Sequence, residues 1–425
     1  MKNLLKIKFA WFPVWSVAVL MLSMVIIYLP VFSGASQRMH DFPLILVSED
    51  SQFADSPEGK AIISNLVKQQ DGHSFQWQIE SSKETAIQAI KENKANGALI
   101  IPANFSERTS ALQEAFLSGD ADINAVPVEI LLNDGASQMA SSISTSVLQS
   151  LALSISDMVS SGIKEDMTKQ QALISPMTAS QLDHPIEYTM TNVLGLPSDI
   201  NKGMTPFMIV LIASITGLMG TQMINGYLGG ISENLKSRGV PLTYSKVFAT
   251  EMLLSVILMI AVAVVIPLAV FGLYGSFHSS GIITIFLFTS LCTMTMFTMF
   301  KMIGMLFGKW AMLAAFPVNI LGIFASGGAI PVTNLPDFHR ILGNIMPIRY
   351  MLEGMRSLLY YDGNMEAGLG KAMTIVPAFF LLFSAVIVLI FVLKRNQGNK
   401  DNQKNHNNEQ QETSNSIQTP ASAQV

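Results

Sequence analysis

Charged residues are scarce in this chain. Only 13% of its 425 residues are Asp, Glu, Lys or Arg, whereas about 25% is usual for soluble domains. Half of the residues are hydrophobic, and the mean hydropathy is +0.40 even though it averages over polar stretches near residues 34–200 and at the C-terminus. These values exclude an entirely soluble protein and predict an integral membrane protein with one water-exposed domain.

The chain also has only one cysteine and no excess of basic over acidic residues. The single cysteine, Cys292, lies in an apolar run, so the chain can form no intrachain disulfide and no cysteine-based metal cluster. The net charge is −4, and Lys and Arg are spread among loops instead of forming the basic stripe of a nucleic-acid binder. Nucleic acid is therefore not an expected partner.

Motifs for catalysis are missing as well. The sequence contains no GxxxxGK[ST] phosphate loop, no HExxH and no GxSxG, which are the patterns of nucleotide binding, zinc proteolysis and serine hydrolysis. We therefore predict that the chain is not an enzyme, has no catalytic or metal site and binds no cofactor itself.

Six apolar stretches are long enough to cross about 30 Å of hydrocarbon as helices. They cover residues 9–32, 205–228, 249–274, 282–308, 311–331 and 372–393. The predicted fold is a polytopic α-helical membrane protein with six transmembrane helices. Its domains are residues 1–33 (N-terminus and first span), 34–203 (an extracytoplasmic domain), 204–394 (five spans) and 395–425 (a tail).

Lysine and arginine in the short loops predict the orientation, since they concentrate on the cytoplasmic side. They cluster before the first span, between the second and third, after the fourth and after the sixth, as Lys2, Lys6, Lys8, Lys236, Arg238, Lys246, Lys309, Lys394 and Arg395. Both termini are accordingly predicted to be cytoplasmic. The segment 333–371 departs from this rule, because it is basic on the opposite side.

The first span has two interpretations. A basic start and the small residues Ser33, Gly34 and Ala35 fit a cleaved signal peptide. Its apolar stretch of about 23 residues exceeds a typical signal core of about 7–15, and Trp11 and Trp15 fit interfacial anchors. A retained anchor is the favoured interpretation, and the next domain is extracytoplasmic in either case.

Residues 34–203 carry the pattern of an α/β domain. Four short segments read as strands and alternate with helical signals: Leu44–Val47, Phe75–Ile79, Gly97–Ile101 and Val126–Leu132. A long helix follows, with an apolar residue every four positions from Ile143 to Val159. We expect it to pack on its own sheet, with a vestibule wall or dimer contact as the alternative. The tail 395–425 is rich in Asn and Gln and is predicted to be disordered.

Few polar side chains occur in the predicted spans. Glu251 begins the third span, and Lys301 lies about two turns from the end of the fourth. We interpret both as interfacial residues, with Lys301 extending toward water, and we interpret Asn225 and Asn319 as helix-packing residues.

Two segments carry a resemblance to a known family. The first is the loop 229–247, with the sequence ISENLKSRGVPLTYSK from Ile231 to Lys246. It resembles the cytoplasmic loop of ABC-2 type ABC transporter permeases, where a short charged helix precedes a proline-containing turn and a lysine. The matching residues are Glu233, Lys236, Arg238, Pro241 and Lys246.

The second segment starts at SGGAIPVTNLPDFHR, from Ser326 to Arg340, and continues through the outer segment 333–364. It resembles the family's break at the end of the fifth span, which is followed by short re-entrant helices in the outer leaflet. The matching residues are Gly327, Gly328, Pro331, Pro336, Pro347, Tyr350 and Arg356.

The resemblance implies the permease of an exporter with a large extracellular domain. A separate cytoplasmic ABC ATPase would bind ATP, and the loop 229–247 would couple it to the spans. The implied assembly is a homodimer, or a heterodimer with a similar permease, in contact with lipid in the cell membrane of a bacterium. The implied substrate is amphipathic, such as a drug, peptide or lipid, and its pathway residues are unknown. The second segment also resembles YhgE/Pip-like membrane proteins, which leaves a scaffold or receptor without transport activity as the alternative.

Overall fold

The computed structural model describes residues 12–35, 38–71, 74–118, 124–171, 181–197, 204–240 and 242–417. Within these ranges, five helical stretches are long and apolar enough to cross a membrane. They are Trp15–Phe32, Met204–Ser237, Tyr244–Leu273, Ile282–Phe324 and Met365–Asn396. The chain is therefore a polytopic, mostly helical membrane protein.

The predicted count of six spans is not confirmed, and the difference lies in residues 311–331. Helix α9 (Ile282–Phe307) is followed by a 3₁₀ turn (Gly308–Trp310) and by α10 (Ala311–Phe324). With 14 residues, α10 is about 21 Å long, which is shorter than the hydrocarbon core. The chain leaves the helix at the Ser-Gly-Gly sequence, where Gly327 has a φ of 83° that few other residues tolerate.

Six further helices belong to the membrane region within the described residues. They are α1 (Phe12–Phe32), α7 (Met204–Ser237), α8 (Tyr244–Pro267, extended by a π turn at Leu268–Leu273), α11 (Asp337–Asn344), α12 (Pro347–Tyr360) and α13 (Gly370–Ile417), with a π turn at Met365–Leu369 before α13. Helix α9 contacts α7, α8, α10, α12 and α13. Its central position explains why it is apolar all round. Its buried Thr289 and Thr293 donate their hydroxyls to carbonyls one turn back along the helix.

Between α1 and α7 the chain forms a sheet domain. Its strands are β1 (Phe42–Ser48), β2 (Phe75–Glu80), β3 (Gly97–Ile101), β4 (Val126–Leu132) and β5 (Ile186–Asn192), in the order β2-β1-β3-β4-β5. Only the β3–β4 pair is antiparallel. The central strands β1 and β3 are almost entirely buried, as expected when helices cover both faces of a sheet. Four strands lie where the sequence predicts them, while β5 is a polar edge strand that hydropathy does not reveal.

Helices of the sheet domain connect and cover these strands. They are α2 (Ser51–Asp55), α3 (Pro57–Asp71), α4 (Lys83–Lys91), α5 (Phe105–Ser118) and α6 (Gln138–Gln170). Helix α6 packs on the sheet through Leu148 and Ile155 together with small residues such as Ser144. Serines on this face let α6 approach the strands closely, as at Gly97, where a Cβ atom would lie 2.9 Å from Leu148.

The C-terminal helix differs from the prediction of a disordered tail. Helix α13 continues through the last predicted span as far as Ile417. A membrane helix supplies the nucleus that an isolated polar segment lacks, so adding further helical residues carries no nucleation cost. For residues 418–425, which lie outside the described part of the chain, disorder stays a prediction.

Candidate functional site

The charged residues of the loop 229–247 lie at the end of α7. Glu233 and Lys236 occupy the last two turns of that helix, Arg238 follows directly, and all three side chains are exposed. No separate short helix forms here, because α7 continues through Gly229 and Gly230 as far as Ser237 and ends before Gly239, whose φ is 80°. The amides of Gly239 and Val240 then bond to carbonyls of the last turn, which closes the helix in the manner of a glycine cap.

The remaining members of the loop follow that cap. Pro241 lies outside the described residues. Thr243 is the N-terminal boundary of α8, and Lys246 is in the first turn of this helix. The structure therefore places Lys246 across a short connection from the charged end of α7.

A buried ion pair joins three helices of the membrane region. The ammonium group of Lys301 on α9 contacts the carboxylate of Glu251 on α8 and donates to Oδ1 of Asn225 on α7 at 2.7 Å. Lys301 is only 3% exposed, so the prediction that it extends toward water is wrong. The reason is that Glu251 and Asn225 supply its polar partners within the bundle. The ring of Phe248, centred 5.8 Å from the ammonium, adds a cation–π contact.

A second polar contact links α7 to α10. The hydroxyl of Ser214 donates to Oδ1 of Asn319, and both residues are buried. Asn319 thus acts in helix packing, as the sequence predicts.

The outer segment contains two short helices, α11 and α12, whose starts are set by proline. Pro336 immediately precedes α11, and Pro347 is the first residue of α12, the position at which a missing N–H is tolerated. Tyr350 closes the connection between the helices by donating to the carbonyl of Asn344 at 2.8 Å. Helix α12 is buried among α7, α9, α10 and α13, so this segment is part of the core of the membrane region.

Helix α11, unlike α12, is largely exposed on one side. His339 and Gly343 are buried against the protein, while Phe338, Ile341 and the following Ile345 are each more than 60% exposed. A short helix with such an apolar outer face fits the surface layer of a bilayer.

The first span is attached to this segment. The carbonyl of Ile27 lies 3.0 Å from Nε2 of His339, and the amide of Asn334 donates to the carbonyl of Ala35 at 3.0 Å. The ring of Tyr28 packs edge-on against Phe324 of α10. These contacts fix the end of α1 that leads into the sheet domain.

The sheet domain docks on the end of α12 through a buried polar cluster. The hydroxyl of Tyr361 lies 2.8 Å from Oδ1 of Asn133 and 2.9 Å from Oδ1 of Asn93. Asn133 is fully buried, and its own amide donates to the carbonyl of Ala95. Asn364 adds a bond to the carbonyl of Lys91. Burial raises the pKa of the Tyr361 hydroxyl, which keeps it protonated as a donor.

Replacing Tyr361 by Phe should loosen this junction. The change leaves a buried Asn133 oxygen without its donor, which costs about 1–3 kcal/mol. We expect faster hydrogen exchange in the 91–96 and 131–134 backbone of the purified chain. Tyr188→Phe on β5 is the matched control, and equal exchange in the two variants would contradict the role of Tyr361 in docking.

These two clusters could not be found from the sequence. Asn93, Asn133 and Tyr361 are far apart in the chain, and no motif links them. The spacing of Asn225, Glu251 and Lys301 gives a weak signal at most, since Glu251 lies near the N-terminal end of α8 and Lys301 near the C-terminal end of α9. No group of three or more His, Cys, Asp or Glu suited to a metal ion occurs in the described part of the chain.

Comparison with known proteins identifies a family. The family described as ABC-2 family transporter protein matches residues 10–394, which include α1, the sheet domain and the membrane region up to the start of the polar tail. No curated protein and no solved structure matches the chain significantly.

Proposed function

Because the chain belongs to the ABC-2 family of transporter proteins, we propose that it is the permease subunit of an exporter driven by a separate ATPase. Permeases of this family are generally transmembrane subunits without enzymatic activity and typically work with an ATPase subunit. The match gives no support to the alternative of a scaffold or receptor.

The observation that carries the proposal is the length of α7. Its 34 residues extend about 51 Å, roughly 20 Å more than a bilayer core requires. The excess carries Glu233 and Lys236, with Arg238 next to it, all exposed. We propose that this end enters the ATPase, so that movement of the ATPase on binding ATP is transmitted along a rigid helix to the spans. ATP then favours one access state only if the ATPase contacts the two states differently.

The apolar neighbours of these charges suit a protein partner. Tyr227 and Ile231, about three and two turns before Arg238, are 70% and 52% exposed. They line a shallow groove along α7 together with Gly226, Gly230 and Arg238. An aromatic residue beside an arginine is a frequent composition at the centre of protein interfaces.

Orientation, direction and substrate follow as parts of the same proposal. Basic loops support a cytoplasmic position for both termini, and the contacts of α1 with His339 and Asn334 support an anchor that is retained. The sheet domain then lies outside the cell membrane, where a fused domain suits export. Two copies, or one copy and a similar permease, would enclose a pathway for an amphipathic substrate.

The proposal predicts that Arg238→Glu weakens the bound ATPase by at least about tenfold, because it reverses one charge at a protein interface. The measurement is affinity purification of the tagged chain from its native membrane in a mild detergent, with quantitative mass spectrometry of co-purifying ATPases. The control is Arg108→Glu, the same change at an exposed position of α5. An ATPase retained equally by both variants would contradict the coupling role, and its absence from the wild type would contradict the permease assignment.

A further inference from the structure

A cavity of about 370 Å³ separates the sheet domain from the membrane region. Its walls come from the α4–β3 connection, the start of α6, the loop 326–333, α12 and the start of α13. This volume is within the usual range for small-molecule sites. The proposed coupling to an ATPase uses none of the residues that line this cavity.

All three acidic side chains of this cavity form ion pairs, whereas only one of its three basic side chains does. Among its acids, Glu92 and Glu366 lie within 4 Å of Lys94, and Glu353 pairs with Arg349 at 3.0 Å. The two other cations of the wall, Arg356 and Lys371, have no carboxylate partner among the described residues. The wall therefore has equal numbers of acidic and basic side chains, and Arg356 and Lys371 are its two cations that form no ion pair within 4 Å in the described part of the chain.

Arg356 is the more informative of the two. Its Nη2 makes one long bond of 3.4 Å to the carbonyl of Gly327, and its Nε is buried without a hydrogen-bond partner. A guanidinium group has five N–H donors in a planar fork that matches a carboxylate or phosphate. Leaving such donors unsatisfied in a partly buried site costs free energy, which an anion in the cavity would recover.

The backbone around the cavity also favours a bound anion. Helix α6 begins at the cavity wall with Ser137 and Ala140, and the N-terminal end of a helix favours negative charge. The loop that forms another wall, with Val332 and Thr333, leads directly into α11, the helix with the apolar outer face. The cavity is thus lined by the segment that leads to this apolar face.

We propose that this cavity binds the anionic headgroup, a phosphate or carboxylate, of an amphiphile at the adjacent membrane surface. Arg356 contacts the anion through its guanidinium group, and Lys371 contributes a second positive charge. Such binding needs neither ATP nor an ATPase, so it goes beyond the transport function and is tested independently of it.

The test uses the purified full-length chain and native mass spectrometry with three probes: phosphatidylglycerol, phosphatidylcholine and inorganic phosphate. We expect phosphatidylglycerol to bind better than phosphatidylcholine, and Arg356→Gln to weaken that binding about tenfold, as expected for a lost charge-assisted contact. Lys371→Gln, at an exposed position, should weaken it about threefold without affecting folding. Arg356→Lys should retain part of the binding.

Arg340→Gln is the matched control, because Arg340 is on α11, pairs with Asp337 at 2.7 Å and does not line the cavity. Binding of inorganic phosphate alone, lost in Arg356→Gln, would support the anion site and assign it to a soluble anion. Equal binding of the two lipids, or equal losses in Arg356→Gln and Arg340→Gln, would overturn the proposal.

Discussion

Replacing Lys301 by Met is expected to destabilise the membrane region by about 3–5 kcal/mol, because it leaves Glu251 as a buried charge without its partner. The two side chains are 4% and 16% exposed, so water replaces little of the lost interaction. The readout is the temperature at which the detergent-purified chain loses its monodisperse elution. Lys309→Met, the same change at an exposed position in the 3₁₀ turn that follows α9, should shift that temperature far less.

The double variant Lys301→Met, Glu251→Leu separates the two contributions to this effect. When both charges of a buried pair are replaced by apolar side chains, the outcome is often neutral or stabilising. We therefore expect the double variant to recover most of the stability lost in the single one. A double variant as unstable as Lys301→Met would show that packing around Lys301 matters more than charge, and would contradict the prediction.

If the double variant regains stability but not transport, the Lys301–Glu251 pair is needed for transport as well as for stability. Lys301 holds α9 to α8 and, through Asn225, to α7, the helix whose end carries Arg238. Under the proposed mechanism, a movement of α7 has to shift or strain this connection. An apolar replacement would keep the helices together and remove the directional contact between them.

Hydropathy predicts the membrane region well because span length and apolar composition are local properties. Both α8 and α9 lie close to their predicted ranges, and so do four of the five strands. The fifth span is the part that is not confirmed: residues 311–331 are mostly apolar, yet Gly327 adopts a left-handed conformation and the helix ends at Phe324. An average over a window does not register where a helix stops.

Contacts between distant residues were the part that sequence reasoning could not supply. Judged only by its position near the end of a span, Lys301 is expected to be an interfacial lysine. Only the positions of α7 and α8 show that it is buried. Similarly, the unpaired state of Arg356 depends on Arg349 being the partner of Glu353. The loop 229–247 stays a prediction from its residues, and the glycines at its start did not indicate that α7 would continue through them to Ser237.

Gly328→Ala tests the packing of α7 at its other end. A Cβ atom at Gly328 would overlap ring carbons of Phe207, which is buried in the first turn of α7. Overpacking of this kind costs about 1–3 kcal/mol, and Gly328→Leu should prevent assembly altogether. Gly281→Leu is the control, because a Cβ atom there meets no other group within 4 Å. Wild-type assembly of Gly328→Leu, measured as monodisperse yield in detergent, would contradict the packing argument.

The Gly328→Ala variant also tests whether α7 transmits movement between the two sides of the membrane region. Phe207 lies in the first turn of α7 and Arg238 directly follows its last residue, so under the proposed function a displacement forced on Phe207 would change the position of the helix relative to an ATPase bound at Arg238. Gly328 is next to Gly327, whose carbonyl accepts from Arg356, so the same displacement reaches the cavity. In reconstituted complexes we therefore expect Gly328→Ala to keep its ATPase subunit but to lose most of the coupling between ATP hydrolysis and transport. Normal coupling in that variant would show that α7 does not act as the rigid connection between the two sides.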